Sequence, residues 1–265
     1  SIIEGFFEGF SFAFLGPFYS ILTFLQDFFG ALVLVTVLFS LVRRYVGTPE
    51  RLRVDTSSRK DASFILVMIA LVMITMFGRS VEKILLGQSQ GYRPVSDFIA
   101  GFFSGGSHAM YEVFFWAHIL IVFAFLNYLP YSKHFHVLSS VVNTFLSNFR
   151  IPYQGITLKP INFEDESITQ YGAKDFTDLT WKNILDGYTC TECGRCTSVC
   201  PANITGKLLN PKLIVTKTRK RTMNAGPAMV KKEEGVSELQ KNLVSDYITP
   251  QELWACTTCM ACVQE

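Results

Sequence analysis

The chain has 265 residues, a formal net charge of +2 at pH 7, and 49% hydrophobic residues, among them 24 phenylalanines. The apolar residues are concentrated before residue 150, a distribution typical of a membrane protein. This composition argues against a single soluble globular core.

Three apolar stretches before residue 150 are long enough to cross a bilayer, which takes roughly 17–25 residues in a helix. We predict membrane spans near residues 18–42, 62–78 and 109–130. The second stretch is the shortest, and taken alone it would also fit a buried helix of a soluble protein. Because polar connectors separate all three, they favour a transmembrane helical bundle over residues 1–150.

The lysine and arginine residues of the connectors predict the orientation of this bundle. The connector after the first span carries six basic residues: Arg43, Arg44, Arg51, Arg53, Arg59 and Lys60. The connector after the second span carries three: Arg79, Lys83 and Arg93. By the positive-inside rule the first connector faces the cytoplasm, so the third span returns the chain to the cytoplasmic side.

All seven cysteines of the chain lie in two runs near its end. The runs are Cys190-Thr-Glu-Cys193-Gly-Arg-Cys196-Thr-Ser-Val-Cys200-Pro201 and Cys256-Thr-Thr-Cys259-Met-Ala-Cys262. The first has the C-x2-C-x2-C-x3-C-P spacing by which three thiolates bind one [4Fe–4S] cluster while the fourth binds the neighbouring cluster. A disulfide-stapled or zinc-holding domain is the alternative interpretation.

Crossed ligation predicts one complete cluster site, made of Cys200 and the three cysteines of the second run. The other site contains the first three cysteines of the first run, and we expect its fourth thiolate beyond residue 265. Because the second run stops one cysteine short and the chain begins at Ser1 rather than Met, we expect an internal piece of a longer protein. Free thiolates belong in a reducing compartment, which agrees with a cytoplasmic location.

Four histidines occur: His108, His118, His134 and His136. On one continuous helix His118 and His136 would share a face about 27 Å apart along the axis, close to the ~30 Å hydrocarbon thickness. That spacing suits two stacked haems with imidazole ligands. In the alternative interpretation neither histidine binds haem: His118 is a polar residue of the helix bundle with its hydrogen bonds satisfied, and His136 lies at the membrane interface. Pro130 lies between them, and a kink there would invalidate the prediction that the two histidines share one face of a helix.

His134 would point about 160° away from His118, so it ranks below His136 as a ligand. Neither of the other two predicted spans contains a histidine. The axial partners would therefore lie upstream of Ser1, unless the haems are absent.

Several polar positions have two interpretations each. Asp27 is either part of an interfacial quinone pocket or the cap of a helix break. Arg79, Glu82 and Lys83 form either a surface ion network or a quinol site. The basic run Lys217–Arg221 is typical of a solvated helix face, with anionic lipid or an acidic electron carrier as the alternative partner. No nucleic-acid recognition motif accompanies this run, so we expect no nucleic-acid partner.

The cysteine runs, Gly206-Lys-Leu-Leu-Asn-Pro211, Trp254-Ala-Cys256 and the stretch Tyr128–His136 resemble one family of membrane-bound iron–sulfur oxidoreductases. In that family a nitrate-reductase gamma-subunit-like haem b domain is fused to a heterodisulfide-reductase-type iron–sulfur domain. The resemblance implies an α-helical ferredoxin domain, and one or two haem b groups on His118 and His136. It also implies menaquinone as substrate, a soluble donor such as an electron-transfer flavoprotein, and membership of a larger complex.

We therefore predict an all-α chain with a haem b-type membrane domain at 1–150, a linker at 151–187 and a two-cluster [4Fe–4S] ferredoxin domain at 188–265. The expected function is quinone-linked electron transfer through haem b, in the cytoplasmic membrane of a prokaryote, with the clusters inside. Two alternatives stay open. One is a haem-free anchor that carries a ferredoxin module, and the other is a heterodisulfide-reductase-like thiol–disulfide enzyme.

Overall fold

The computed structural model describes residues 12–47, 56–147, 163–164, 166–167, 171–233 and 235–264. Within these ranges the regular elements are helices, and Val244 and Ile248 form an isolated bridge rather than a strand. The predicted all-α class is confirmed. The described residues divide into two compact units, one made of 12–47 with 56–132 and the other of the residues from 133 onward.

In its described part the first unit contains four α-helices: α1 Pro17–Val46, α2 Thr56–Leu85, α3 Pro94–Ala100 and α4 His108–Tyr128. Three segments are long and apolar enough to cross a membrane, namely Pro17–Val46, Ser58–Leu85 and His108–Tyr131. They coincide with the three predicted spans and extend past both ends of each. Large apolar side chains such as Phe29, Phe39 and Leu120 point outward, as expected of helices that face lipid.

Helix α2 is the central helix of this unit and packs against α1, α3 and α4. Close packing with α4 depends on Gly78, where an added Cβ would lie 2.5 Å from the ring of Phe114. Small residues of this kind let membrane helices approach each other, because lipid supplies no hydrophobic force between them. The Tyr128 hydroxyl on α4 also donates a hydrogen bond to Asp61 on α2.

Asp27 on α1 caps the start of the short helix α3. Its carboxylate accepts hydrogen bonds from the Val95 backbone N–H at 2.6 Å, and from the Ser96 backbone N–H at 3.1 Å and the Ser96 hydroxyl at 2.5 Å. A carboxylate suits a helix N-terminus, where backbone N–H groups lack partners within the helix. Asp27 is therefore a cap, but of the neighbouring helix α3 and not of a break in its own helix, since α1 runs unbroken from Pro17 to Val46.

Replacing Asp27 with alanine is expected to lower the free energy of unfolding of the membrane unit by about 2 kcal/mol, since buried donors lose their acceptor. The neighbouring Leu25 points outward, so L25A serves as the control. Unfolding in mixed micelles, followed by far-UV circular dichroism, measures both variants. Equal losses in D27A and L25A would refute the capping role.

The helix that carries His118 does not continue to His136. Helix α4 ends at Tyr128, 3-10 turns follow at Leu129–Tyr131 and Lys133–Phe135, and α5 begins at His136. Pro130 lacks an N–H and cannot continue the hydrogen-bond ladder of an α-helix. The assumption of one continuous helix is therefore wrong, and with it the shared-face calculation. The haem-ligand assignment itself stays a prediction.

The second unit contains seven helices in its described part: α5 His136–Phe145, α6 Trp181–Thr189, α7 Arg195–Ser198, α8 Pro201–Ile204, α9 Pro211–Lys231, α10 Pro250–Trp254 and α11 Ala261–Gln264. Helix α5 groups with this unit, although the sequence placed it with the membrane domain. Most of 151–170 in the predicted linker lies outside the described residues. The end of that linker is helical, because α6 begins at Trp181.

Helix α9 organises this unit around the buried Arg221, which is 1% exposed. Its guanidinium forms an ion pair with Asp175 at 2.6 Å and donates to the backbone oxygen of Glu238 at 2.8 Å. The rings of Phe176 and Tyr247 lie 5.2 Å and 5.9 Å from it. Arg221 on α9 thus contacts three other segments of the chain, around Asp175, Glu238 and Tyr247.

The basic run on α9 is therefore more than a solvated face. Arg221 pairs with Asp175, Arg219 pairs with Glu192, and Lys217 pairs with Glu252. The interpretation of the whole run as a solvated helix face is wrong for these three residues. The spacing of the basic residues along the sequence gives no sign that carboxylates from distant parts of the chain form ion pairs with this helix.

Candidate iron–sulfur site

A short capped helix precedes each cysteine run. Thr180 begins α6, where its hydroxyl accepts from the Asn183 N–H at 3.3 Å and its own N–H donates to the Asn183 side chain at 3.2 Å. Thr249 begins α10 with the same reciprocal pair to Glu252, at 3.3 Å and 2.8 Å. These capping boxes fix where each helix starts. Each run then begins just after its helix ends.

The two cysteine loops have left-handed residues at matching positions. Positive φ angles stand on both sides of the middle cysteine, at Glu192 (58°) and Gly194 (76°) in the first loop and at Thr258 (52°) and Met260 (63°) in the second. Alternation between right-handed and left-handed residues turns successive N–H groups toward one concave side, which favours anions. In the second loop the Thr258 N–H lies 3.4 Å from the sulfur of Cys256.

The thiols fall into two electrostatic groups. Burial raises the pKa of Cys196; hydrogen bonding from Thr197 opposes this shift, and the neighbouring Cys190 and Cys193 raise the pKa further. Burial also raises the pKa of Cys262, and there the next contributors are Cys200 and Cys256. Cys200 therefore interacts electrostatically with the second run. Crossed ligation requires the same grouping, with Cys200 beside the cysteines of the second run.

Packing brings the same residues together independently of charge. Cys200 is buried with Ala202 and Leu209, and Ala255, which directly precedes the second run, packs against them. Helix α11, which contains Cys262, packs against α7 of the first run. The fourth cysteine of the first run therefore lies beside the second run.

The donor set fits iron–sulfur clusters. All seven cysteines are free thiols, which argues against a disulfide-stapled domain. In the part of the chain that the structure describes, no three Cys, His, Asp or Glu side chains are close enough to hold one metal ion. A zinc site would need four such ligands around one ion, whereas a four-iron cluster is larger and takes thiolates that lie farther apart. Backbone hydrogen bonding from Ala261, helped by the Thr257 side chain, lowers the pKa of Cys259 and favours the ligating thiolate.

Sequence reasoning missed Glu192, which anchors the first loop. This carboxylate lies between Cys190 and Cys193, is buried, and accepts from Lys133 Nζ at 2.5 Å and from the Arg219 guanidinium. Arg219 also donates to the backbone oxygen of Cys190 at 3.0 Å. The only signal in the sequence was an acidic residue inside a C-x2-C loop of a chain rich in nearby basic residues.

The second loop has a similar anchor in Glu252, whose carboxylate accepts from Lys217 Nζ at 2.6 Å and 2.8 Å. Burial alone would raise the pKa of Glu252, but Lys217 and the Thr249 N–H together hold it below its ordinary value of 4.5. A carboxyl group with a lowered pKa stabilises the fold above its ordinary pKa, and this contribution is lost as the pH falls through the lowered value.

The K217M variant is expected to unfold about 1 kcal/mol more easily at pH 7, a modest value because Lys217 is partly exposed. The difference from wild type should shrink as the pH falls below the ordinary pKa of 4.5. Urea titrations at several pH values measure it, with K220M on the same helix as the control. A difference that stays constant from pH 7 to pH 3.5 would contradict the ion pair.

Both candidate haem ligands have their Nδ1 atoms engaged. His118 Nδ1 lies 3.0 Å from the Thr75 hydroxyl, which itself donates to the Leu71 backbone oxygen at 2.8 Å. His136 Nδ1 lies 2.7 Å from the Lys133 backbone oxygen. An Nδ1–H that donates in this way leaves Nε2 with the lone pair, the arrangement common in metal-ligating histidines. The contact with Thr75 agrees equally well with the alternative interpretation, in which His118 is a structural residue whose ring nitrogen has a hydrogen-bond partner within the bundle.

An apolar cavity of about 450 Å³ lies within the first unit. Its lining residues are Ala31, Leu34, Val35, Ile74, Phe77, Gly78, Val81, Glu82, Val95, Ile99, Phe103, Met110 and Phe114. Glu82 is the one ionisable residue in this lining, and its Oε2 accepts from the Ser107 N–H at 2.9 Å. The size is within the range of ligand pockets, and a single carboxylate in an apolar wall suits a lipophilic ligand with one polar end.

Comparison with known proteins defines the class of the cysteine-rich unit. Residues 189–265 match the family described as a 4Fe-4S dicluster domain. Such a domain carries two [4Fe–4S] clusters, which supports that part of the cofactor prediction and argues against the zinc alternative. No solved structure matches the chain significantly.

The chain is 31% identical over 282 residues to the probable iron-sulfur-binding oxidoreductase FadF of Bacillus subtilis, which covers 94% of this chain and 39% of that protein. It is 30% identical over 281 residues to the EtfAB:quinone oxidoreductase of Syntrophomonas wolfei, covering 94% of this chain and 38% of that protein. A probable membrane-anchored ferredoxin of Chromohalobacter salexigens is 30% identical over 120 residues, 41% of this chain and 18% of that protein.

The chain spans about two fifths of the length of the first two relatives. Its homologues are iron–sulfur-binding oxidoreductases, and the three long apolar helices indicate a membrane protein. The predictions of an iron–sulfur protein and of membrane-spanning helices are therefore confirmed, whereas oxidoreductase activity is attributed only to the relatives.

Proposed function

We propose that this chain transfers electrons between two cytoplasmic [4Fe–4S] clusters and a membrane quinone, as part of a longer protein. The observation that carries the proposal is the union of a dicluster domain and three apolar helices in one chain. The name of the relative from Syntrophomonas wolfei supports a quinone, and an electron-transfer flavoprotein as the soluble donor. We take the quinone to be menaquinone. The orientation is the one that the basic connectors predict, with the cysteine-rich unit on the cytoplasmic side.

The residues of this chain hold and tune the redox centres. Cys200 and the second run supply the four thiolates of one site, and Cys190, Cys193 and Cys196 supply three for the other. The Thr258 N–H of the second loop donates toward the Cys256 sulfur, and hydrogen bonds of this kind raise the reduction potential of such a centre. The clusters, when bound, supply one-electron transfer. The protein around them fixes the positions of the thiolates.

We assign haem b ligation to the Nε2 atoms of His118 and His136, with axial partners outside this chain. A haem in the membrane would carry electrons between the cytoplasmic side and the quinone. We place the quinone ring in the cavity beside Glu82, where the carboxylate can accept a proton from a quinol hydroxyl while the apolar wall holds the isoprenoid chain.

A second candidate function, a haem-free anchor for a ferredoxin module, is favoured by the contact between His118 and Thr75 and by the membrane-anchored relative. Reduced-minus-oxidised optical spectra of membranes that contain the intact protein separate the two functions. The proposed function predicts haem α-bands that are lost in H118A or H136A and kept in H108A. A haem-free preparation that keeps the full electron-transfer activity of its ferredoxin module would support the anchor instead.

The third alternative, a thiol–disulfide enzyme, is tested by mixing the intact protein with a heterodisulfide and a reduced dye. Dye oxidation that depends on the heterodisulfide would favour that enzyme over a quinone-linked one.

A further inference from the structure

Helix α5 turns an apolar face outward and a polar face inward. Five large apolar residues are between 47% and 83% exposed: Val137, Leu138, Val141, Val142 and Phe145. The sheltered side carries Ser139 and Asn143 instead. With about 100° between successive residues, the apolar side chains cover an arc of about 140°. That width is normal for an apolar stripe that faces a core, but here the stripe points away from the unit.

Specific contacts hold α5 in this orientation. The Thr189 hydroxyl at the end of α6 donates to the Ser139 hydroxyl at 3.2 Å. Asn143 donates to Asp186, also on α6, at 2.9 Å. Because the polar side of α5 is bound to its neighbour at two points, the apolar side must face whatever surrounds the unit.

The position of α5 in the chain identifies those surroundings. The third candidate membrane span ends at Tyr131 and α5 begins at His136. The few residues between them can reach at most about 18 Å even if fully extended. A helix this close to the end of a membrane span lies at the bilayer surface, where an outward apolar face finds acyl chains.

We propose that α5 is a membrane-surface helix, with Val141 and Phe145 among the acyl chains of the inner leaflet, and that it seats the first cysteine loop next to the membrane. Two links connect it to that loop. Helix α6, which binds α5, ends at Thr189 directly before Cys190. Lys133, just before α5, forms the ion pair with Glu192 inside the loop at 2.5 Å.

The site that contains Cys190, Cys193 and Cys196 is then the centre nearer to the membrane carrier, and the site of Cys200 and the second run is the one that meets the soluble donor. Neighbouring helix axes lie about 8–10 Å apart, so this loop is roughly two helix layers from lipid. The order of the two sites rests on the proposed function, whereas the lipid contact of α5 does not.

Lipid contact is tested with V141W in the intact protein, in a background in which every other tryptophan, Trp116, Trp181 and Trp254 among them, is replaced by phenylalanine. The protein is placed in phosphatidylcholine vesicles whose acyl chains carry bromine close to the headgroup. The V141W variant is expected to lose most of its fluorescence. V230W, on the exposed side of α9, is the matched control and should keep its fluorescence. Iron content confirms that both variants are folded.

Fluorescence of V141W that is no more quenched than that of V230W overturns the proposal. A blue-shifted but unquenched V141W spectrum also overturns it, because α5 would then be covered by protein, whether a partner or a second copy. Quinone reduction on the same vesicles reports on the proposed function separately. An unquenched protein that reduces quinone defeats only this inference, and a quenched protein without quinone reduction defeats only the function.

The order of the two sites is tested with a dysprosium chelate attached to lipid headgroups. In the reduced protein, the electron paramagnetic resonance signal that C193S eliminates should be relaxed more strongly than the signal that C259S eliminates. The reverse ranking, or equal relaxation of both signals, overturns the assignment of the first site to the membrane side.

Discussion

Replacing Cys200 with serine is expected to remove the same cluster as replacing Cys259, and to leave in place the cluster that C193S removes. The reason is the position of Cys200, which is buried against the start of the second run and contributes to the raised pKa of Cys262. Each single variant should lose about four iron and four sulfide ions per protein, since each cluster has four of each.

Iron and acid-labile sulfide analysis gives the stoichiometry, and paramagnetic resonance spectra of the dithionite-reduced protein show which signal is lost. S198A, which changes an exposed residue of the same run, should keep both signals. If C200S and C193S eliminate the same signal, each run ligates its own cluster and crossed ligation is wrong.

The R221M variant is expected to lose about 3 kcal/mol of unfolding free energy in the cysteine-rich unit. Methionine fills much of the arginine volume, so the loss comes from chemistry. Asp175 loses its ion-pair partner, two backbone oxygens lose a donor, and the Phe176 and Tyr247 rings lose a cation above their faces. A buried carboxylate without its partner is costly because the interior solvates it poorly.

K220M provides the control for R221M, because Lys220 is the adjacent residue on the same helix and is exposed. It should change stability by less than about 0.5 kcal/mol, as surface substitutions usually do. Urea unfolding, followed by the loss of cluster absorbance, measures both. A loss below about 1 kcal/mol in R221M would show that Arg221 does not organise this unit.

The sequence was most informative where the signal is local. Bilayer-length apolar stretches located the three membrane helices, because burial in lipid requires a continuous run of apolar residues. The cysteine spacing located the cluster loops because three ligands of one cluster come from one short loop and are therefore close together in the sequence. Pro130 indicated a possible helix break, and the structure shows that break between Tyr128 and His136.

Contacts between residues far apart in the chain were not accessible in this way. Asp27 caps a helix that begins at Pro94, and Arg221 meets Asp175. Nothing in the spacing of these residues indicates their partners. The basic run on α9 looked solvated for this reason, although three of its charges are paired inside the unit. Glu192 escaped notice because its role depends on Lys133 and Arg219, which come from separate helical segments.

Reoxidation of the clusters by quinone is the most direct test of electron transfer from this chain into the membrane. The intact protein is reconstituted in vesicles, its clusters are reduced with dithionite, and excess reductant is removed without air. Addition of a menaquinone analogue should abolish both cluster signals within the mixing time of a freeze-quench experiment, and the same preparation of E82A should respond more slowly. If both signals persist undiminished in the presence of quinone, electrons do not pass from these clusters into the membrane.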